Sequence, residues 1–133
     1  MIPVEDLRTE NDNIEALIAV LACLVPSPTL RTNNIFCELL QRFHDMLDSH
    51  IKHEARSIYP ELLSHDDKNI KIVAKDFLSN THELERILSK YVKRWCHNIT
   101  TDNHEKFENE TLEVFRLVKE RIKMEEAHLF SVL

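Results

Sequence analysis

Residues 47–62, LDSHIKHEARSIYPEL, return near the end of the chain as residues 118–133, VKERIKMEEAHLFSVL. Laid over one another, Leu47 falls on Val118, Ile51-Lys52 on Ile122-Lys123, Glu54 on Glu125, Ile58-Tyr59 on Leu129-Phe130 and Leu62 on Leu133. The segments before them match as well: Asp6-Leu7 falls on Asp76-Phe77, Ile14-Glu15 on Leu84-Glu85, Leu17-Ile18 on Ile87-Leu88 and Leu21 on Tyr91, at an offset of about seventy positions. The apolar matches recur at steps of three and four, the spacing of one face of an α-helix. Each half therefore reads as a pair of amphipathic helices that needs the other half to cover its apolar faces. The prediction is an all-α, up-down-up-down antiparallel four-helix bundle with an internal two-fold helix-pair repeat, one domain over residues 1–133.

The first helix is predicted over about Val4 to Val25 and ends at Pro26 and Pro28, because proline removes an amide donor and disfavours helix in the residue before it. Thr32, Asn33 or Asn34 caps a second helix reaching about Leu63, with a kink or an early end near Tyr59 imposed by Pro60. Ser64 to Asp67 breaks the chain and supplies an aspartate cap to a third helix ending near His97. A turn over Asn98 to Asp102, with Asp102 and Glu105 as a capping pair, opens a fourth helix that runs to the C-terminus. Tyr91, Trp95, Phe115 and Phe130 are spaced as packing residues near helix ends.

Composition removes several functions. The chain has no glycine, so phosphate-cradling loops, dinucleotide fingerprints and nucleophile elbows are excluded. Its net charge is −6 with basic residues scattered among acids, which argues against a nucleic-acid partner, and Lys90, Lys93 and Arg94 read as a solvated face. The opening MIPVEDLRTE is acidic, and the apolar run from Ile14 to Val25 is short and interrupted by Glu15, so no membrane span is expected. Cys23, Cys37 and Cys96 are odd in number without C-x-x-C spacing, which predicts reduced thiols, no stapling disulfide and a cytoplasmic location. Cys96 and His97, as helical neighbours, are expected to point apart, and no nucleophile is placed beside a base, so enzyme function has no positive support.

Three His-acid pairs have the i, i+4 spacing that puts two metal-ligand types on one helix face: His44/Asp48, His50/Glu54 and His104/Glu108. The apolar stripe Phe36, Leu40, Phe43, Leu47 continues by the same steps into His50, Glu54 and Ile58, so this pair replaces core residues. His44/Asp48 falls on the outer face and His104/Glu108 at an exposed helix start. In the last helix the stripe Val118, Ile122, Glu125, Leu129, Val132 points Glu125 inward, with Arg121 one turn earlier at the repeat equivalent of His50. The repeat also sets Asn11 against Thr81, so all four helices offer a polar residue at one level.

Leu7 to Ile14, His50-Ile-Lys-His-Glu54 followed by Ile58-Tyr59-Pro60, and Arg121-Ile-Lys-Met-Glu125-Glu126 followed by Leu129-Phe130 resemble the hemerythrin-like (HHE) cation-binding domain over nearly the whole chain. The resemblance implies an up-down four-helix bundle around a non-haem di-iron centre, in proteins that bind oxygen, respond to oxygen, nitric oxide or iron, or take part in iron-centre repair. It further implies His50 as a terminal ligand and Glu54 and Glu125 as bridging carboxylates.

Three positions depart from that pattern: Asn11 and Arg121 stand where histidines are implied, and the third helix offers Thr81 with His82 displaced by one residue. A guanidinium keeps its proton and cannot ligate, but its planar donors suit carboxylates. The expectation is that Arg121 reaches Glu54 or Glu125 in place of a metal's charge, with His50 completing the cluster. Asp12, His82 and Glu126, with His53 and His128, are the candidate substitute ligands for a single zinc, manganese or iron ion. The leading function is a hemerythrin-like module with a degenerate di-iron site, non-enzymatic, regulating or binding a protein partner. The alternative is a non-haem iron or other metal protein, di-iron or mononuclear, that binds or senses oxygen, nitric oxide or iron.

Overall fold

In a computed structural model that describes residues 4–100 and 102–133, the chain is all-helical, with no strand among the described residues. The elements are α1 (Val4–Leu24), a single turn α2 (Pro28–Arg31), α3 (Asn34–Ser57), a short α4 (Tyr59–Leu63), α5 (Lys68–Trp95) and α6 (His104–Met124). A π-helical turn (Glu125–Leu129) and a 3-10 turn (Phe130–Val132) follow α6. Residues 1–3 of the acidic opening and residue 101 of the predicted turn lie outside the described residues.

The caps show why the chain breaks where it does. The Asn33 side chain accepts from the Ile35 amide at 2.9 Å, and Asp67 does the same for Asn69 at 2.8 Å, each satisfying a donor the helix start leaves over. Pro28 opens α2, where its missing amide costs nothing. As Pro60 foretells, the second predicted helix divides: α3 stops at Ser57, and the chain restarts at Tyr59 as α4. The predicted Asp102 cap does not form. Asn103 precedes α6 instead, and its Oδ1 turns back to the Thr100 amide at 2.7 Å.

The last helix is not regular to its end. The π turn adds a residue to the repeat, so Leu129 and Phe130 are both buried while Val132, expected inward, is exposed. The expectation of three reduced cysteines is also corrected. Cys37 and Cys96 are joined as a disulfide with their Cα atoms 5.2 Å apart, and Cys23 alone is a free, exposed thiol. The inference from unpaired cysteines to the cytoplasm loses its premise. No described helix is long and apolar enough to cross a membrane.

Helix α1 packs against α3 and α6, and α5 packs against α3, α4 and α6. The apolar interior forms two clusters. One holds Leu7, Ile58, Tyr59, Leu62, Ala74, Phe77, Leu129 and Phe130. The larger begins at Ile14, Ile51, Leu84 and Ile122 and extends to Trp95 and Phe107. The residues between these two sets on each long helix are Asn11, Glu54, Thr81 and Glu125, all buried. A polar layer thus divides the core.

Candidate metal centre

Within that layer His50, Glu54 and Glu125 are each 2 % exposed or less and bring one nitrogen and two carboxylate groups within 4.8 Å of one another. Their helical steps account for the meeting. His50 and Glu54 are four apart on α3 and share a face, and Glu125 projects from the junction of α6 with the π turn.

The two oxygens of Glu125 face different partners. Oε1 lies 3.1 Å from His50 Nε2 and accepts from the Asn11 amide nitrogen at 3.1 Å. Oε2 accepts from Arg121 Nε at 2.9 Å. The remaining Arg121 nitrogens donate to Phe77 O at 3.1 Å, Tyr59 Oη at 2.8 Å and Thr81 Oγ1 at 2.8 Å, so four of its five N–H groups are used. The guanidinium carbon lies 4.9 Å from the centre of the Phe77 ring. Arg121 therefore reaches Glu125 rather than Glu54, and its position is fixed by partners on α4, α5 and the π turn that follows its own helix.

His50 has carboxylates on both ring nitrogens: Nδ1 lies 2.8 Å from Glu10 Oε1 while Nε2 faces Glu125. Burial opposes a charge there, but the hydrogen bonds to Glu125 and Glu10 outweigh it and raise the pKa. An imidazolium donates to both acids at once. Burial would raise Glu125 too, yet the His50 hydrogen bond and charge, with the Arg121 charge, hold its pKa down at about 2. Glu54 goes the other way. Burial first, and then the neighbouring Glu125 charge, push it well above the ordinary carboxylate value against the pull of Arg121. The layer therefore favours the ionised form of Glu125 and the protonated form of Glu54.

Glu54 is the member that the protein leaves incomplete. As an ionised acceptor Glu54 has no donor on either oxygen among the described residues, and neither has Asn11 Oδ1; a protonated Glu54 hydrogen-bonds Glu125. Glu54 Oε1 has the approach of His50 Nε2 at 3.2 Å, but that nitrogen directs its hydrogen bond to Glu125. Buried oxygens without a donor are costly, and one imidazole with two carboxylates is a donor set for a cation. The spacing fits. Donors about 2.1 Å from one ion and at right angles to each other lie about 3 Å apart, close to the 3.1 and 3.2 Å found here. The Arg121 guanidinium occupies the other side of Glu125, at Oε2.

The remaining sequence candidates lie outside this cluster. Thr81 is inward and donates to Phe77 O at 2.8 Å, while His82 is exposed. Asp12, Glu126 and His128 are exposed, and Glu126 pairs with Arg8 at 2.7 Å. His53 is half-buried and binds Glu10 Oε2 at 2.7 Å. His44 and Asp48 do not pair with each other but with Asp45 and Lys52. Glu108 pairs with the buried Arg31 at 3.0 Å.

Sequence reasoning missed Glu10 and the polar use of Tyr59. Glu10 fixes the His50 ring through Nδ1, the arrangement that orients a metal-binding histidine. Its only sequence signal is that it precedes Asn11, and its side chain meets α3 only after docking. The model of the family described as Hemerythrin HHE cation binding domain matches residues 2–133. No curated protein and no solved structure matches the chain.

Proposed function

This chain belongs to the hemerythrin HHE cation-binding domain family, and from that premise we propose that it binds a single divalent metal ion through His50, Glu54 and Glu125, with Arg121 in place of a second ion. The observation that carries the reading is a fully buried Glu54 whose carboxylate has no protein donor on either oxygen among the described residues, gathered with His50 and Glu125. Asn11 Oδ1 is a buried neutral acceptor in the same layer, and Glu10 holds the His50 ring for coordination through Nε2. A bound ion supplies a Lewis-acidic centre with open positions for a small ligand. The protein residues set its cost: His50 gives up its Nε2 proton and Glu54 its carboxyl proton, so binding weakens as pH falls.

The proposed frame is the up-down-up-down four-helix bundle with its helix-pair repeat. Glu10 on α1 meets His50 and His53 near the far end of α3, which supports an antiparallel pair. The proposed role is regulatory or protein-binding, not catalytic. Arg121 removes the second ion that paired-iron chemistry needs, and no nucleophile and base meet in the layer among the described residues. Iron is the family's usual metal and the first to test.

Metal analysis decides the matter. Protein with the Cys37–Cys96 bond intact, equilibrated with ferrous, manganous or zinc ion, is expected to hold one ion per chain, and Glu54→Gln to hold far less. No bound ion under any of the three conditions overturns the metal site and leaves a metal-free ionic cluster. Two ions overturn the place given to Arg121. Replacing Arg121, Asn11 and Thr81 together with histidine is expected to raise the capacity to two.

A further inference from the structure

Cys37, Cys96 and His97 form a second cluster of ligand-type side chains, with one donor atom from each lying within 4.8 Å of the others. Cys37 is thirteen residues before His50 on α3, roughly 20 Å along a helix. The cluster is therefore separate from the polar layer. Cys37 and Cys96 are half-buried and His97 is exposed, so solvent reaches the site.

The backbone explains how sequence neighbours come to share it. Consecutive helical residues point about 100° apart, which would separate Cys96 from His97. But α5 ends at Trp95, and His97 has φ 66°, the one non-glycine residue in the left-handed region among the described residues. The Asn98 amide closes the turn on Trp95 O at 3.0 Å. Glycine suits such a position and the chain has none. Asparagine, which tolerates it, comes one residue later. The turn instead carries an imidazole and brings it beside both sulfurs. A cavity of about 210 Å³ adjoins them, lined also by Thr32, Asn33 and Trp95.

Two thiolates and one imidazole are a zinc donor set with a fourth position open to water, whereas two sulfurs in a disulfide offer no thiolate. We propose that Cys37, Cys96 and His97 form a redox-gated site for a zinc-class cation, closed as the disulfide and opened by reduction. In the opening step a dithiol reductant transfers two electrons and two protons to the Cys37–Cys96 bond. That bond breaks to give two thiols, and the reductant becomes its own disulfide. Binding the cation then releases both thiol protons to solvent, with His97 ligating as the neutral imidazole. Either state ties the start of α3 to the end of α5, by a covalent bond or through the ion.

Cobalt titration of the Cys23→Ser protein tests this, because removing the exposed third thiol leaves only the pair in question. A phosphine, which takes its oxygen from water to become the phosphine oxide, serves as the reductant. The reduced protein is expected to show a thiolate-to-cobalt charge-transfer band saturating at one equivalent and displaced by zinc, and the oxidised protein none. The His50 centre contains no sulfur and cannot give this band, so the two sites fail separately. Cys37→Ser should abolish the band. His97→Gly keeps the left-handed turn but removes the imidazole, and should weaken cobalt binding by at least about tenfold while the two thiols still reoxidise to the disulfide. The proposal is overturned if the reduced, still helical protein gives no band, if His97→Gly binds cobalt as tightly as its parent, or if reduction abolishes helical structure that cobalt does not restore.

Discussion

Arg121 and Glu54 give the polar layer its character, and each makes a distinct prediction. Arg121→Gln leaves Glu125 ionised without its nearest counter-charge and deprives Tyr59 and Thr81 of a donor. Breaking a buried pair in this way costs about 3–5 kcal/mol, to be read from denaturant unfolding of the metal-free protein. A loss below about 1 kcal/mol would mean the pair behaves as an exposed one. The pKa of Glu54 is raised above its unfolded value, so its contribution is complete below the ordinary carboxylate pKa and is lost as pH rises through the folded value. Glu125 is depressed, so its contribution is present above the ordinary value and is lost as pH falls towards about 2. Metal-free stability should therefore decline on both sides; His50, whose pKa is also raised, shares the alkaline decline with Glu54, so Glu54→Gln should reduce that decline without abolishing it and leave the acid one. An unchanged alkaline slope in that variant would refute a protonated Glu54.

Helix ends separate residues that look alike in sequence. Asp67 and Asp102 each precede a helix, but only Asp67 accepts from the helix backbone. Asp67→Ala is expected to lower stability by about 1 kcal/mol. Asp102→Ala should stay within about 0.5 kcal/mol, and chemical unfolding of the two variants side by side checks the contrast. The difference was not legible beforehand, because a capping pattern states what a side chain can reach and not where the backbone turns first. Pro60 was legible, since its ring and missing amide act on its immediate neighbours. The π turn after Met124 was not. Its extra residue leaves no composition signal, yet it decides that Phe130, and not Val132, enters the core beside the polar layer.

Across the molecule, the Cys37–Cys96 bond closes a loop with a sequence separation of 59. Reducing it in the presence of a chelator should lower stability by about 4 kcal/mol if the chain-entropy account holds, and unfolding of the oxidised and reduced proteins measures this. Zinc added to the reduced protein should restore part of that loss. The long helices, their inward faces and the level shared by Asn11, His50, Glu54, Thr81, Arg121 and Glu125 could be read from residue order alone, because periodicity and the repeat are local properties of a chain. Docking settled the rest: Arg121 on Glu125 rather than Glu54, Glu10 behind His50, Tyr59 on the guanidinium, and His97 turned back to two sulfurs. Each of these contacts depends on how separate helices approach or how one backbone turn bends, and spacing along a chain carries no measure of either.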